Sequence, residues 1–171
     1  IEEIEEIEDK FADAALRAKE AGFDGVEIHS AHGYFLNQFL SPLTNKRDDQ
    51  YGGDIDGRIK IHLEIIKKVR EKVGNDYPIF LRLGAGDNMD GGLTREDAVY
   101  AAKAFEKAGV DVLDISGGMC MFFTNNDSPG FFDYLSEPIY KKVDIPVILT
   151  GGVKTGNDII DILNRDVCNL V

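Results

Sequence analysis

The chain has 171 residues, 43% of them hydrophobic and 29% charged, which fits one soluble globular domain with its own core over residues 1–171. Thirty-one acidic residues against 19 basic ones give a net charge of −12, a field that opposes nucleic acid and anionic membranes. No apolar run approaches the roughly 20 residues of a membrane span, and the N-terminal segment lacks the basic start and apolar middle of a signal peptide.

The sequence begins at Ile1 rather than Met, as a processed product or a piece of a longer protein would. Residues 2–21 predict an amphipathic helix. Ile4, Ile7, Phe11, Ala14, Ala15 and Ala18 recur at spacings of three and four with acids between them, and Gly22 ends it. Gly25 to Ile28 is strand-like, and residues 30–57 then show little period. Ile59, Leu63, Ile66, Val69 and Val73 mark a second helix, stopped by Gly74. Pro78 to Leu83 is a buried strand. Thr94 is placed to cap the next helix, with Asp97 at the capping-box position, and that helix carries Ala98, Ala101, Phe105 and Ala108 up to Gly109. Val112 to Ile115 is a third strand. Residues 132–142 predict a less regular helix with Pro138 inside it. Ile145 to Leu149 is a fourth strand, Asn157 is placed to cap a helix running to about Asn164, and residues 168–171 look like the start of a fifth strand. Cys120 and Cys168 have no CxxC or Cys/His spacing and are expected to be buried thiols of a cytoplasmic protein.

A short echo, AGFDGVEI at 21–28 and AGVDVLDI at 108–115, repeats the passage from a helix end through Gly and Asp into a strand. Near-continuous apolar strands alternating with helices imply a parallel sheet covered by helices. Polar and glycine-rich residues collect after several strands (His29, Arg82, Ser116-Gly117-Gly118, Thr150-Gly151-Gly152), which favours a barrel over an open doubly wound sheet. Eight βα units need about 250 residues. The expected fold is therefore α/β, a partial (β/α)8 TIM barrel of about four βα units, with a final strand stub and an N-terminal helix.

The long segment HSAHGYFLNQFLSPLTNKRDDQYGG is where chemistry concentrates, since loops of this length in compact α/β domains are usually functional. His29 ends a strand, and His32 and Tyr34 follow at once. Imidazoles can donate hydrogen bonds to a developing oxyanion and a phenol can deliver a proton. The bare spacing leaves a second reading open, in which both histidines are satisfied packing residues. A metal site is not expected, because no third Cys, His or carboxylate stands at supporting spacing.

The run H-x-A-H-G-Y, then Q-F-L-S-P, N-x-R-x-D-x-Y-G-G and a later Arg resembles the signature of the old yellow enzyme family, closest to its bacterial NADH:flavin oxidoreductases and enoate reductases. The resemblance implies FMN as cofactor, NADH or NADPH as reductant and a small-molecule alkene, such as an α,β-unsaturated carbonyl or carboxylate, as substrate. By that resemblance His29 and His32 grip the substrate's oxygen and Tyr34 is the proton donor. Arg82 lies beside the flavin N1 and C2 carbonyl, with His29 also on the cofactor side. Gly151 and Gly152 form the phosphate-binding turn. Asn45, Arg47, Asp49, Tyr51 and Arg58 also match and are expected to frame the long loop, through Arg47 with Asp49 or Asp49 with Arg58. The family often has Ser-x-Glu-Asn-Arg after the glycine pair. This chain has Asp54-Ile-Asp-Gly-Arg58, so Gly57 is expected to loosen that corner. The family's first strands, with their flavin contacts, and its final Gly-Arg turn lie outside these residues.

Two rival readings remain. A partial barrel with bare strand edges and apolar helix faces is expected to self-associate as a homo-oligomer and to be catalytically silent, binding flavin weakly or not at all. A different barrel enzyme acting on phosphate-bearing substrates rests on the glycine turns alone.

Overall fold

The structure is a computed structural model and describes residues 1–121, 123–124 and 126–171. The first helix, α1 (Glu2–Glu20), buries Ile4, Glu8, Ala12 and Ala15, and Gly22 at φ +88° turns the chain out of it. Four parallel strands follow: β1 (Val26–Ser30), β2 (Ile79–Gly84), β3 (Val112–Ser116) and β4 (Val147–Leu149). They form one sheet in the order β1-β2-β3-β4. That order is the one a barrel wall has. A barrel wall adds each strand beside the last, whereas a doubly wound sheet reverses direction at its switch point. The expected strand stub is present as well: Leu170 makes a parallel bridge with Ile148, and its carbonyl accepts from Leu149 N at 2.9 Å.

Strand alternation divides the sheet into two faces. Ile28, Leu81, Leu83, Leu113, Ile115, Val147 and Leu149 are buried under the helices. The other face, the lumen side of a barrel, carries Glu27, His29, Phe80, Arg82, Asp114 and Ile148 at matching register positions. The chain is thus a partial TIM barrel whose inner face holds the polar residues.

The long segment after β1 contains a helix that its sequence did not announce, α2 (Phe35–Leu40). Six residues make less than two turns, too few for a period to show. The next helix, α3 (Ile55–Val73), also starts before its first periodic residue, because the Asp54 carboxylate accepts from Gly57 N. Helix α4 (Arg95–Ala108) is capped by Thr94 as expected, and Gly109 closes it at φ +109°. Asp97, however, turns its carboxylate to Arg58, 2.9 Å away. Helix α5 (Asp133–Tyr140) is shorter than predicted but does include Pro138. Ser136 anchors it by donating to Val167 O at 2.6 Å. The last helix, α6 (Gly156–Leu163), is capped by Thr155 and Asp158 in a reciprocal capping box, not by Asn157, which lies inside its first turn.

Cys120 and Cys168 are both buried free thiols. Among the described residues, no helix is long and apolar enough to cross a membrane.

Candidate active site

The turn after β1 brings three predicted site residues together. His29 faces the lumen side in register with Arg82. His32 and Gly33 both take positive φ, +59° and +74°, so the chain doubles back immediately after the strand. A small network holds this unusual backbone: Gly33 N donates to Asn37 Oδ1 at 2.8 Å and Gln38 Nε2 to Gly33 O at 2.7 Å. Tyr34 is the first residue out of the turn, sits at the N-cap of α2 and remains 60% exposed. The His29 ring lies 5.2 Å from that of His32 and 5.5 Å from that of Tyr34, centroid to centroid. His32 Nε2 is also 2.7 Å from Ser116 Oγ, at the end of β3.

Arg82 supplies the charge beside this cluster. Its Nη1 lies 3.4 Å from Asp114 Oδ2, and its Nη2 donates to Thr150 Oγ1 at 3.5 Å. One guanidinium therefore spans β2, β3 and the end of β4. Partial burial lowers the basicity of both His29 and His32, and the Arg82 charge lowers it further; His29 also feels an opposing pull from Glu27. Both rings are consequently neutral at neutral pH, each with one N–H to donate.

Gly151 and Gly152 end β4 with φ of +120° and +69°. The Phe131 ring packs so close that a Cβ on either glycine would stand within 2.8 Å of it. Only glycine fits this turn. Among the described residues, neither amide donates to a protein acceptor, so both are available to an anion. These features fit a flavin mononucleotide. Arg82 retains a buried Nε without a protein partner on the lumen face, and the glycine turn offers amides for a phosphate.

Asn45, Arg47, Asp49, Tyr51 and Arg58 lie apart from the rings and frame the loop. Asn45 Nδ2 donates to Phe39 O and Tyr51 O, each at 2.7 Å. Arg47 grips Asp49 through two bonds of 2.9 and 2.5 Å, while Tyr51 N donates to the same carboxylate at 3.0 Å. The alternative pairing of Asp49 with Arg58 does not form. Arg58 is buried and donates to Leu40 O, Gly53 O and Asp97, each at 2.9 Å. Gly57 does not loosen the corner either. A Cβ there would stand 2.0 Å from Gly52 O, so the missing side chain lets two backbone segments meet.

Two residues of the site escaped the sequence reading, Glu27 and Asp114, and Ser116 was singled out as part of a polar stretch after its strand but not for its bond to His32. Strand alternation could have found the first two, since Glu27 and Asp114 fall on the same face as His29 and Arg82. Asp87 was also missed. It is fully buried and ties three loops together by accepting from Ser41 Oγ, Leu93 N and Met119 N at 2.5, 2.7 and 2.8 Å. The third histidine, His62, belongs to the core, 2.8 Å from Ser30 Oγ and stacked on Phe105.

Comparison with known proteins agrees with this geometry. The family model described as NADH:flavin oxidoreductase / NADH oxidase matches residues 1–171. The chain is 48% identical over 159 residues to an NADH oxidase of Thermoanaerobacter brockii, covering 90% of this chain and 24% of that protein. It is 38% identical over 170 residues to an NADPH dehydrogenase of Bacillus subtilis (strain 168), covering 99% of this chain and 50% of that one. Among solved structures it superposes on a 2-naphthoyl-CoA reductase in complex with 2-naphthoyl-CoA with a TM-score of 0.86 at 32% identity, covering 97% of this chain and 26% of the other. It matches morphinone reductase in complex with tetrahydroNAD with a TM-score of 0.80 at 28% identity, covering all of this chain and 45% of the other. The chain thus spans from 24% to 50% of the length of these relatives.

Proposed function

Because the chain belongs to the NADH:flavin oxidoreductase / NADH oxidase family, we propose that it carries the substrate-facing part of an FMN-dependent ene-reductase that acts on α,β-unsaturated carbonyl or carboxylate compounds. FMN, when bound, would supply the hydride-transfer chemistry between NADH or NADPH and the alkene. The protein's own contribution is orientation and charge. His29 and His32, both neutral, donate hydrogen bonds to the substrate oxygen and stabilise negative charge that develops there. Tyr34 gives its phenolic proton to the α-carbon and, being 60% exposed, recovers one from solvent. Arg82 and the Gly151–Gly152 amides would hold FMN, the guanidinium offsetting negative charge on the reduced ring and the amides meeting the phosphate.

The observation that carries this reading is the ring cluster of His29, His32 and Tyr34 at the C-terminal end of β1, one strand from Arg82. The test is the visible absorption spectrum of the purified chain with and without added FMN. A yellow chain whose flavin is bleached by NADH or NADPH and recoloured by an α,β-unsaturated ketone supports the proposal. A colourless chain that leaves added FMN unperturbed contradicts it.

One observation favours a second reading, a silent barrel piece that self-associates. Ile159, Ile160 and Leu163 on α6 are 37%, 58% and 39% exposed, and Leu170 beside the sheet edge is 49% exposed. A row of apolar side chains at a barrel edge is covered in a stable state. Light scattering distinguishes the readings: a homo-oligomer without flavin favours the second, a flavin-bearing monomer the first.

A further inference from the structure

The inner face of the sheet holds one more charged group than the proposed reaction uses. Asp114 stands on β3, in register with Arg82 on β2 and Ile148 on β4. Its side chain is only 7% exposed. The contact with Arg82 is a single long one of 3.4 Å, where a well-formed guanidinium–carboxylate pair has two short parallel bonds. Among the described residues, Asp114 Oδ1 and Arg82 Nε are buried without a protein partner, so an acceptor and a donor remain on this face. The groups that face Asp114 are Glu27 from β1 and Arg82 from β2, while β4 presents Ile148 and Thr150, which do not titrate. His29, on β1, and His32, 2.7 Å from Ser116 Oγ at the end of β3, both interact with Arg82. Asp114 thus stands between one cation and a second carboxyl.

We propose that Asp114 is the positioning residue for Arg82, anchoring the guanidinium from the neighbouring strand and, by taking or releasing one proton, setting the net charge that the pair presents to a ligand on the inner face. The proposal rests on the flavin reading above. With Asp114 ionised the pair is neutral; with it protonated the Arg82 charge is uncompensated. Burial pushes the carboxyl up to about 7, against the pull of Arg82 and with a further push from Glu27, so both forms are populated at neutral pH. Ionised Asp114 opposes any gain of negative charge by the ligand, and protonated Asp114 does not. By linkage, that gain draws a proton onto Asp114.

The experiment compares the midpoint potential of FMN bound to the chain in the wild type, Asp114→Asn and Asp114→Glu, from about pH 5.5 to about pH 8.5. Asp114→Asn is expected to match the wild type at the acid end and to rise above it at higher pH. The gap reaches roughly tenfold in the reduced-to-oxidised ratio, about 30 mV for a two-electron couple. Asp114→Glu restores the wild-type pH dependence. Parallel curves for wild type and Asp114→Asn at every pH overturn the proposal. A second measurement needs no flavin: carbon-13 titration of the Asp114 carboxyl in the chain alone, with a midpoint near 7 that rises in Arg82→Gln. A midpoint in the ordinary carboxylate range overturns the proposal whether or not flavin binds. A chain that ignores FMN sinks the flavin reading, and the carboxyl titration then decides the Arg82–Asp114 pairing by itself.

Discussion

Ser116 Oγ lies 2.7 Å from Nε2 of His32, joining the end of β3 to the tight turn after β1. The hydroxyl is buried, whereas the imidazole is only partly so, and the bond occupies one ring nitrogen while leaving Nδ1 for a ligand. Ser116→Ala removes the bond and frees the ring to rotate. A neutral hydrogen bond contributes about 1 kcal/mol, so kcat/KM for an α,β-unsaturated ketone is expected to fall about fivefold in flavin-loaded protein, mostly through KM. Circular dichroism should show an unchanged fold. Steady-state parameters equal to the wild type would remove Ser116 from the site.

The buried His62 predicts how the fold responds to acid. Complete burial pushes this imidazole down to about 3 from its usual 6.5, and the folded protein keeps it neutral. Unfolding lets it take a proton at any pH below its unfolded value. Stability from this group is therefore fully present above about pH 6.5 and is lost progressively as pH falls toward 3, on the order of several kcal/mol. His62→Leu leaves Ser30 Oγ buried without its partner, which costs about 1 to 3 kcal/mol at neutral pH. It also removes the titration, so its melting temperature should approach that of the wild type as pH falls. A gap that stays constant with pH would refute the assignment.

The sequence made the strands and most helices legible because apolar period and glycine stops act locally: Gly22, Gly74 and Gly109 end their helices where expected. It also grouped His29, His32 and Tyr34, since three residues on one turn need no long-range information. What it could not show depends on distance along the chain. Arg58 chose Asp97, 39 residues away, over the nearby Asp49, because the fold lays the start of α4 against α3. The role of Asp114 depends on register between β2 and β3. Thr155 displaced Asn157 as the α6 cap because Asp158, and not a later residue, could close the capping box.

The loop framework is predicted to have a strong and a weak half. Arg58 is buried and feeds two backbone carbonyls as well as Asp97, so Arg58→Met leaves three acceptors without a donor. A loss of about 3 kcal/mol is expected, at the lower end for broken buried pairs because Asp97 keeps some contact with water. Asp49→Asn disturbs a solvent-exposed pair and should leave the urea midpoint close to wild type. Comparable losses in the two variants would contradict this division.

Gly57 offers a test with a counter-intuitive sign. Replacing a helical glycine with alanine ordinarily stabilises by about 1 kcal/mol. Here the new Cβ would meet the Gly52 carbonyl at 2.0 Å, and backbone cannot swing aside as a side-chain tip does. Gly57→Ala is therefore expected to destabilise by about 1 to 3 kcal/mol, the cost of overpacking. Thermal melts that show a stabilised variant would mean that the corner relaxes more easily than its contacts imply.

Tyr34→Phe separates the two halves of the proposed cycle. Tyr34 stands at the exposed lip of the ring cluster, 5.5 Å from His29 by ring centroids. Losing its hydroxyl removes a proton source but leaves the groups assigned to FMN in place. Rapid-mixing absorbance is expected to show flavin reduction by NADH or NADPH at the wild-type rate, while reoxidation by an α,β-unsaturated ketone slows by about 10²-fold or more, the usual contribution of a positioned general acid. Reoxidation by oxygen needs no proton on carbon and should be unaffected. If both halves slow together, Tyr34 supports the turn rather than delivering a proton.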